Sequence, residues 1–177
     1  MKLVKTLLLG LLGLIALLVL ISFALPRSYK VERSIDINAP MIAIYPRIYN
    51  PKDWALWSVW NRRDPGMAVT YSGEPAGKGA KWSWQSKVEG GGKMEFTAAE
   101  FDKLIAYKIT FTDFDGEMTG RFEFSQAGKA VRVRWIGEGD VGGNPLMRYF
   151  VLAMDRMLGP DFEGGLKNLK ALAEATR

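Results

Sequence analysis

From Met67 to about Asp140 the chain alternates apolar and polar residues, and this period of two limits its fold more than any other feature. A helix cannot hold such a pattern on one face. An antiparallel strand with one side on a core and the other in water requires it. Turn signals at Ser72-Gly73, Lys78-Gly79, Gly90-Gly91-Gly92, Asp115-Gly116 and Ala127-Gly128 cut the stretch into six runs. One parity collects Trp82, Trp84, Met94, Phe96, Ile105, Tyr107, Ile109, Phe111, Met118, Phe122, Phe124, Val131, Val133 and Trp135. The other carries mostly charged and polar residues, among them Lys81, Glu95, Lys108, Arg121, Glu123, Arg132 and Arg134.

The flanks have different periods. Tyr29 to Ile37 reads as a first strand, with Val31, Ile35 and Ile37 alternating with Glu32, Ser34 and Asp36. Asn38-Ala39-Pro40 ends it, and Met41 to Tyr49 reads as a short helix limited or kinked by Pro46. Asn50-Pro51-Lys52-Asp53 supplies an N-cap, a first-turn proline and an acid for a second short helix that carries Trp54 and Trp57. After Gly142-Gly143-Asn144-Pro145 the period returns to 3.6, with Phe150, Met154, Leu158, Phe162, Leu166, Leu169 and Ala173 in one stripe. That stripe predicts a single helix of nearly thirty residues, kinked at Gly159-Pro160, with Gly164-Gly165 allowing close approach to the sheet. The expected fold is α+β: a curved seven-stranded antiparallel sheet wrapped around a long C-terminal helix, with two short helices between strands one and two.

Ahead of this domain, Thr6 to Leu25 carries no charge and holds fourteen Leu, Ile, Val and Phe residues. Twenty helical residues extend about 30 Å, the hydrocarbon thickness of a bilayer. At about −0.3 to −0.6 kcal/mol per large apolar side chain, the segment should partition into a membrane by several kcal/mol. A cleaved signal peptide competes with this reading, because Lys2 and Lys5 form a basic start and Ser22-Phe23-Ala24 resembles a small-x-small site. The run from Leu7 to Leu25 is longer than the usual signal core, which favours a retained single-pass anchor in the inner or plasma membrane. Basic residues lie on both sides, Lys2 and Lys5 before the run and Arg27, Lys30 and Arg33 after it, so charge alone does not orient it. The short basic start suggests an outer, periplasmic placement of the domain. The expected division is residues 1–27 as anchor and 28–177 as one ligand-binding domain.

Composition removes several chemistries. The 177 residues include no His and no Cys, which excludes Ser/His/Asp and Cys/His nucleophile systems, thiolate redox chemistry and zinc sites of the usual N/S kind. No aspartate-rich calcium loop appears, so no metal and no cofactor is expected. Disulfides are impossible, which leaves the compartment open. After Leu25 the balance is 22 basic against 19 acidic residues, too even to demand a nucleic-acid partner.

Several short motifs follow one another in order: Asn38-Ala39-Pro40, Trp54-x-x-Trp57-Ser58-x-Trp60, Asp64-Pro65, Tyr71-Ser72-Gly73, Gly77-x-Gly79-Ala80, Trp84, Gly92-x-Met94 and Asp161-Phe162-Glu163-x-Gly165-Leu166-x-x-Leu169-Lys170. Together they resemble the polyketide cyclase/dehydrase branch of the START-like (SRPBCC) superfamily, over about Tyr29 to Glu174. Val59 departs from the pattern, since this branch often has proline between the second and third tryptophans. The resemblance implies a helix-grip fold with a hydrophobic cavity between sheet and helix, which in relatives holds lipids, sterols, polyketides or quinones. It implies no catalytic set, because members that catalyse use residues of their own subgroup.

The parity pattern independently places no Asp, Glu, Lys or Arg on the inward face of strands two to seven. Proton transfer needs such a group within reach of the substrate. The expected function is therefore a membrane-tethered binding or carrier domain for a hydrophobic small molecule. Candidate ligand contacts are Trp82, Trp84, Phe96, Tyr107, Ile109, Phe122, Trp135, Met154, Leu158 and the inward-parity Arg33, with no catalytic residue assigned. The same aromatic row also reads as ordinary core. Ser86 and Gly120 are the small inward residues that suggest free volume. Glu138 and Asp140 could stand at a cavity mouth, and Trp54, Trp57 and Trp60 could form a lid, a membrane-dipping surface or core. An enzyme of cyclase or dehydratase type and an envelope interaction module remain as alternatives.

Overall fold

A computed structural model describes residues 2–112 and 117–175. Its elements are α1 (Lys2–Ser22), β1 (Ser28–Ile37), α2 (Met41–Tyr49), a 3-10 turn (Pro51–Asp53), α3 (Trp54–Trp57), α4 (Val59–Arg63), β2 (Ala68–Gly73), β3 (Ala80–Gln85), β4 (Gly91–Glu100), β5 (Leu104–Phe111), β6 (Glu117–Ala127), β7 (Ala130–Asp140), α5 (Met147–Val151) and α6 (Met154–Glu174). The strands form one antiparallel seven-stranded sheet in the order β1-β7-β6-β5-β4-β3-β2. The first strand lies beside the last, with Ser28 opposite Asp140 and Ile37 opposite Val131.

Parity is carried into the fold. Phe96, Ile105, Tyr107, Phe122, Val133 and Trp135 are almost wholly buried, while Lys81, Lys93, Thr119 and Arg132 on the alternate positions are exposed. On the outer face the arginines meet carboxylates: Arg132 with Asp36, Arg134 with Glu32 and Glu123, and Arg121 with Glu123 and Glu138. The turn between β4 and β5 is Phe101-Asp102-Lys103, which carries no glycine or proline signal. Asp102 takes the left-handed conformation there, φ 59°, which a short side chain able to bond locally tolerates. The turn read at Asp115-Gly116 lies outside the described residues.

The expected second helix is divided into the 3-10 turn, α3 and α4, with the Asn50 side chain accepting the Lys52 N–H as its cap. A correction applies at the C-terminus. The single thirty-residue helix is broken at Leu152-Ala153 into α5 and α6, and Phe150 is exposed instead of joining the apolar stripe. The break follows from what α5 holds: Arg148 donates to the Ser22 and Phe23 carbonyls and Tyr149 donates from its hydroxyl to the Leu18 carbonyl. These contacts commit α5 to the end of α1 and take it off the path of α6. Helix α6 itself runs through Pro160, which is exposed on its outer side.

Helix α6 crosses the β1 and β7 end of the sheet. The Phe162 ring lies parallel to the Trp135 indole, centroids 4.1 Å apart and 1° between planes, and Trp135 in turn stacks on Phe122 at 4.8 Å. Gly165 permits this approach, since a Cβ there would stand 2.9 Å from Trp135 and 3.4 Å from Trp57. Ion pairs fix the N-terminal half of the helix, with Arg33 of β1 reaching Asp155 and Glu163, both at 2.8 Å. Lys170 donates to the Asp36 carbonyl, and Glu174 accepts the Asn38 N–H.

Two predictions follow from this packing. Gly165→Val should destabilise by about 2 kcal/mol through overpacking against the indoles, a fall in Tm of about 4–8 °C in a thermal melt. The second concerns acid. Hydrogen bonds from Arg132, Arg27 and Arg33 hold Asp36, Asp140 and Asp155 below the usual aspartate range. A carboxyl lowered on folding stabilises above its unfolded value and loses that contribution as pH falls through the folded one. Melting temperature should therefore be flat near neutrality and decline below about pH 4, and Asp155→Asn should reduce the decline.

Candidate functional site

Because α6 lies mainly over β1 and β7, it reaches the β2 to β5 end of the sheet only with Met157, Leu158, Asp161 and Phe162. Helices α3 and α4 cover that end instead, and they leave a cavity of about 500 Å³. Its floor is Trp82, Trp84, Met94, Ile109, Phe111 and Met118 from β3 to β6, with Val69 and Tyr71 from the edge strand β2. Its roof is Trp54, Ser58 and Trp60 together with Leu158 and Phe162 of α6. The rim reaches the surface at Ala55, Tyr71 and Met157, which are exposed. Gly92 opposite Trp84 lets that indole lie flat on β4, where any side chain would collide with it.

Of the residues expected to bind, Trp82, Trp84, Ile109 and Leu158 line this cavity. Phe96, Tyr107, Phe122 and Trp135 do not; they are buried in solid packing beneath α3 and α6. Met154 is half-buried against the core, outside the cavity wall. Arg33 is taken up by Asp155 and Glu163 on α6, away from the cavity. The small inward residues are filled as well. The Tyr107 ring occupies the space that Gly120 leaves, and its hydroxyl accepts the Trp135 Nε1–H at 2.7 Å. Burial pushes the Tyr107 phenol well up, so it stays neutral. Ser86 donates to Asp64 and accepts the Val88 and Glu89 N–H groups, which makes it a loop brace. Glu138 and Asp140 pair with Arg121 and Arg27 away from this cavity.

The tryptophans divide by role. Trp54 and Trp57 are buried, with their indole N–H groups donated to the Ile48 and Arg47 carbonyls, so they are core. Trp60 is half-buried at the cavity edge and donates to Asp161 at 2.8 Å.

Parity could not reveal the polar edge, because it comes from helices and a loop. Arg63 of α4 holds Asp161 of α6 with two bonds, 2.6 and 2.8 Å, and Glu89 of the β3–β4 loop with two more, 2.7 and 3.0 Å. The hydrogen bonds to Asp161 and then Glu89 hold the Arg63 guanidinium firmly charged. One cation and two carboxylates leave this edge with a net charge of −1, and both carboxylates are engaged by the same guanidinium. The only sequence signals for it were Trp60 and the Asp161-Phe162 motif. Among the described residues no three Asp or Glu side chains gather in a way that could hold a metal ion.

The family model described as polyketide cyclase/dehydrase and lipid transport matches residues 28–174. The chain belongs to that family. No curated protein matches it. Among solved structures, truncated norcoclaurine synthase from Thalictrum flavum superposes with a TM-score of 0.62 at 13% identity, covering 85% of this chain and 96% of that one. A Chromobacterium violaceum protein gives 0.58 at 18% identity, with 84% and 98% covered. The di-domain ARO/CYC BexL of the BE-7585A biosynthetic pathway gives 0.59 at 17% identity, covering 85% of this chain and 52% of that chain. At such identities the likeness is one of fold. Membership in the polyketide cyclase/dehydrase and lipid transport family agrees with a hydrophobic-ligand-binding fold.

Ser58 provides a test of how the roof is built. It lines the cavity at the N-cap position of α4, makes no capping bond, and its buried hydroxyl has no hydrogen-bond partner among the described residues. Replacing an unsatisfied buried hydroxyl by a methyl removes a desolvation cost of about 1–3 kcal/mol, whereas removing a working cap would cost about 1 kcal/mol. Ser58→Ala is expected to leave Tm unchanged or raise it, read by thermal melting.

Proposed function

We propose that residues 28–177 form a carrier or binding domain for an uncharged hydrophobic small molecule, such as a lipid, quinone or polyketide-like compound, tethered to a membrane by residues 1–27. The observation that carries the reading is the cavity beneath α3 and α4. Its volume of about 500 Å³ lies in the range of ordinary ligand sites, and its walls are mainly Trp, Phe, Met and aliphatic side chains. A ligand burying roughly 300 Å² of apolar surface there would gain about 7 kcal/mol before ordering costs, consistent with micromolar or weaker affinity. The net negative edge at Arg63, Asp161 and Glu89 disfavours an anionic head group and favours a neutral one.

The tether reading draws on α1. Its Leu3–Ser22 stretch is long and apolar enough to cross a bilayer, and apart from half-buried Val19 and buried Ser22 its residues are exposed. A retained anchor fits the length of the apolar core better than a cleaved leader does, and the short basic start favours the inner membrane with the domain outside. Neither nucleic acid nor a resident cofactor enters this reading. An enzyme of cyclase or dehydratase type is the second reading, and Asp161 at the cavity edge is the residue that would favour it.

Native purification followed by mass spectrometry of extracted small molecules should recover a neutral apolar compound in near-stoichiometric amount. Val69→Trp, which places an indole into the cavity from the half-buried edge strand, should retain the fold and lower recovery about tenfold, a change of 1.4 kcal/mol. An empty wild type, or equal recovery from the variant, would remove the proposal.

A further inference from the structure

Outside α1, four large apolar side chains are more than half exposed within twelve residues: Leu146 at 58%, Phe150 at 51%, Leu152 at 60% and Met157 at 55%. The other exposed apolar residues of the domain, such as Ile42, Val88 and Phe101, are far apart in sequence and need no explanation. The cluster covers α5, its two flanks and the first turn of α6, the same segment that broke the expected long helix.

What this segment touches indicates what covers it. Arg148 donates to the carbonyls of Ser22 and Phe23 at 3.3 and 3.1 Å, and its guanidinium lies 5.4 Å from the Phe23 ring centroid. A cation at that point also meets the negative end of the α1 dipole. Tyr149 reaches one turn further, donating to Leu18 at 2.6 Å. A second tie holds the linker, since Arg27 pairs with Asp140 at 2.8 Å and its carbonyl accepts the Val141 N–H at 2.9 Å. The domain is thus clamped to the end of α1.

Depth follows from helix geometry. The twenty residues Leu3–Ser22 extend about 30 Å, so when they span a bilayer the last turn stands at the hydrocarbon boundary. Leu18 is four residues, about 6 Å, below Ser22. An element bonded to both carbonyls lies at that boundary, where an aromatic ring, aliphatic side chains and a snorkelling arginine are stable. Met157 belongs both to this cluster and to the rim of the cavity.

We propose that α5 and the first turn of α6 form an interfacial docking element, inserted by Leu146, Phe150, Leu152 and Met157 into the leaflet at the C-terminal end of α1, so that the cavity rim at Met157 faces lipid. The inference rests on the tether part of the proposed function and is independent of what the cavity binds.

The chain has no cysteine, so single substitutions give unique labels. The full chain would be reconstituted in vesicles of phosphatidylcholine and phosphatidylglycerol at 3:1. It would carry an NBD label at Phe150→Cys, Leu152→Cys or Met157→Cys, with Leu9→Cys reporting on the anchor and Lys129→Cys on the β6–β7 turn. The expected result is blue-shifted emission at 150, 152 and 157, quenched at least twofold more by lipid doxyl-labelled near the head group than by lipid labelled near the chain end. Leu9 should show the opposite preference, and Lys129 should be water-like and unquenched. Emission at 150 and 157 matching that at 129, with Leu9 still buried, would overturn the docking element and leave the anchor standing. A water-like Leu9 would overturn both. A blue shift that grows with protein concentration, without lipid quenching, would assign the patch to a protein contact and overturn the proposal. Recovery of a bound small molecule is read separately on the unlabelled wild-type chain, so that loss of the docking element and loss of the cavity reading are distinguishable.

Discussion

The stack of Phe162 on Trp135 sets the position of everything else in the domain. It can form only because Gly165 presents no side chain to the two indoles, and it draws α6 onto the β7 side of the sheet at a ring separation of 4.1 Å. Arg33 then clamps the helix over β1 through Asp155 and Glu163. A helix held so close at one end of a seven-stranded curved sheet cannot also cover the other. The gap is roofed by short pieces, α3 and α4, whose ring contacts run through Trp54 and Trp57 to Trp135 and Phe122. The cavity is the geometric remainder of that asymmetry.

Polar groups at the cavity serve its shape. Arg63 ties α4, α6 and the β3–β4 loop into one edge, and Trp60 adds a fifth bond to the same carboxylate cluster. Such a cluster closes the roof against the helix while keeping charge at the margin, where water and its own partners solvate it. The interior presents aromatic faces and aliphatic chains.

Much of this was legible in the sequence because it rests on periodicity. Alternation predicts the strand faces, and Phe96, Tyr107, Phe122 and Trp135 are buried as their parity requires. Parity reports which side of the sheet a residue faces; it does not report whether another element reaches it. That is why these four, expected in the cavity, lie in solid core, while Trp82, Trp84 and Ile109 from the same row line open space. The distinction depends on where α6 crosses, and Gly165 carries that information without any periodic signal. Arg63, Glu89 and Asp161 were illegible for a related reason, since they come from three segments joined only by tertiary structure. The broken C-terminal helix escaped because the stripe through Phe150 continued in register, and only the partners of Arg148 and Tyr149 divert it.

Pairing of the first strand with the last has a consequence for biogenesis. Ser28 faces Asp140 and Ile37 faces Val131, so the oldest strand to leave the ribosome gains its neighbour only after more than ninety further residues have emerged. Contacts between such distant positions form slowly, because the loop entropy must be overcome before they contribute. Until then the nascent chain carries an unpaired edge and uncovered tryptophans beside its own greasy leader, the kind of intermediate that aggregates or engages chaperones. Completion of β7 is therefore the event that commits this polypeptide to its native topology.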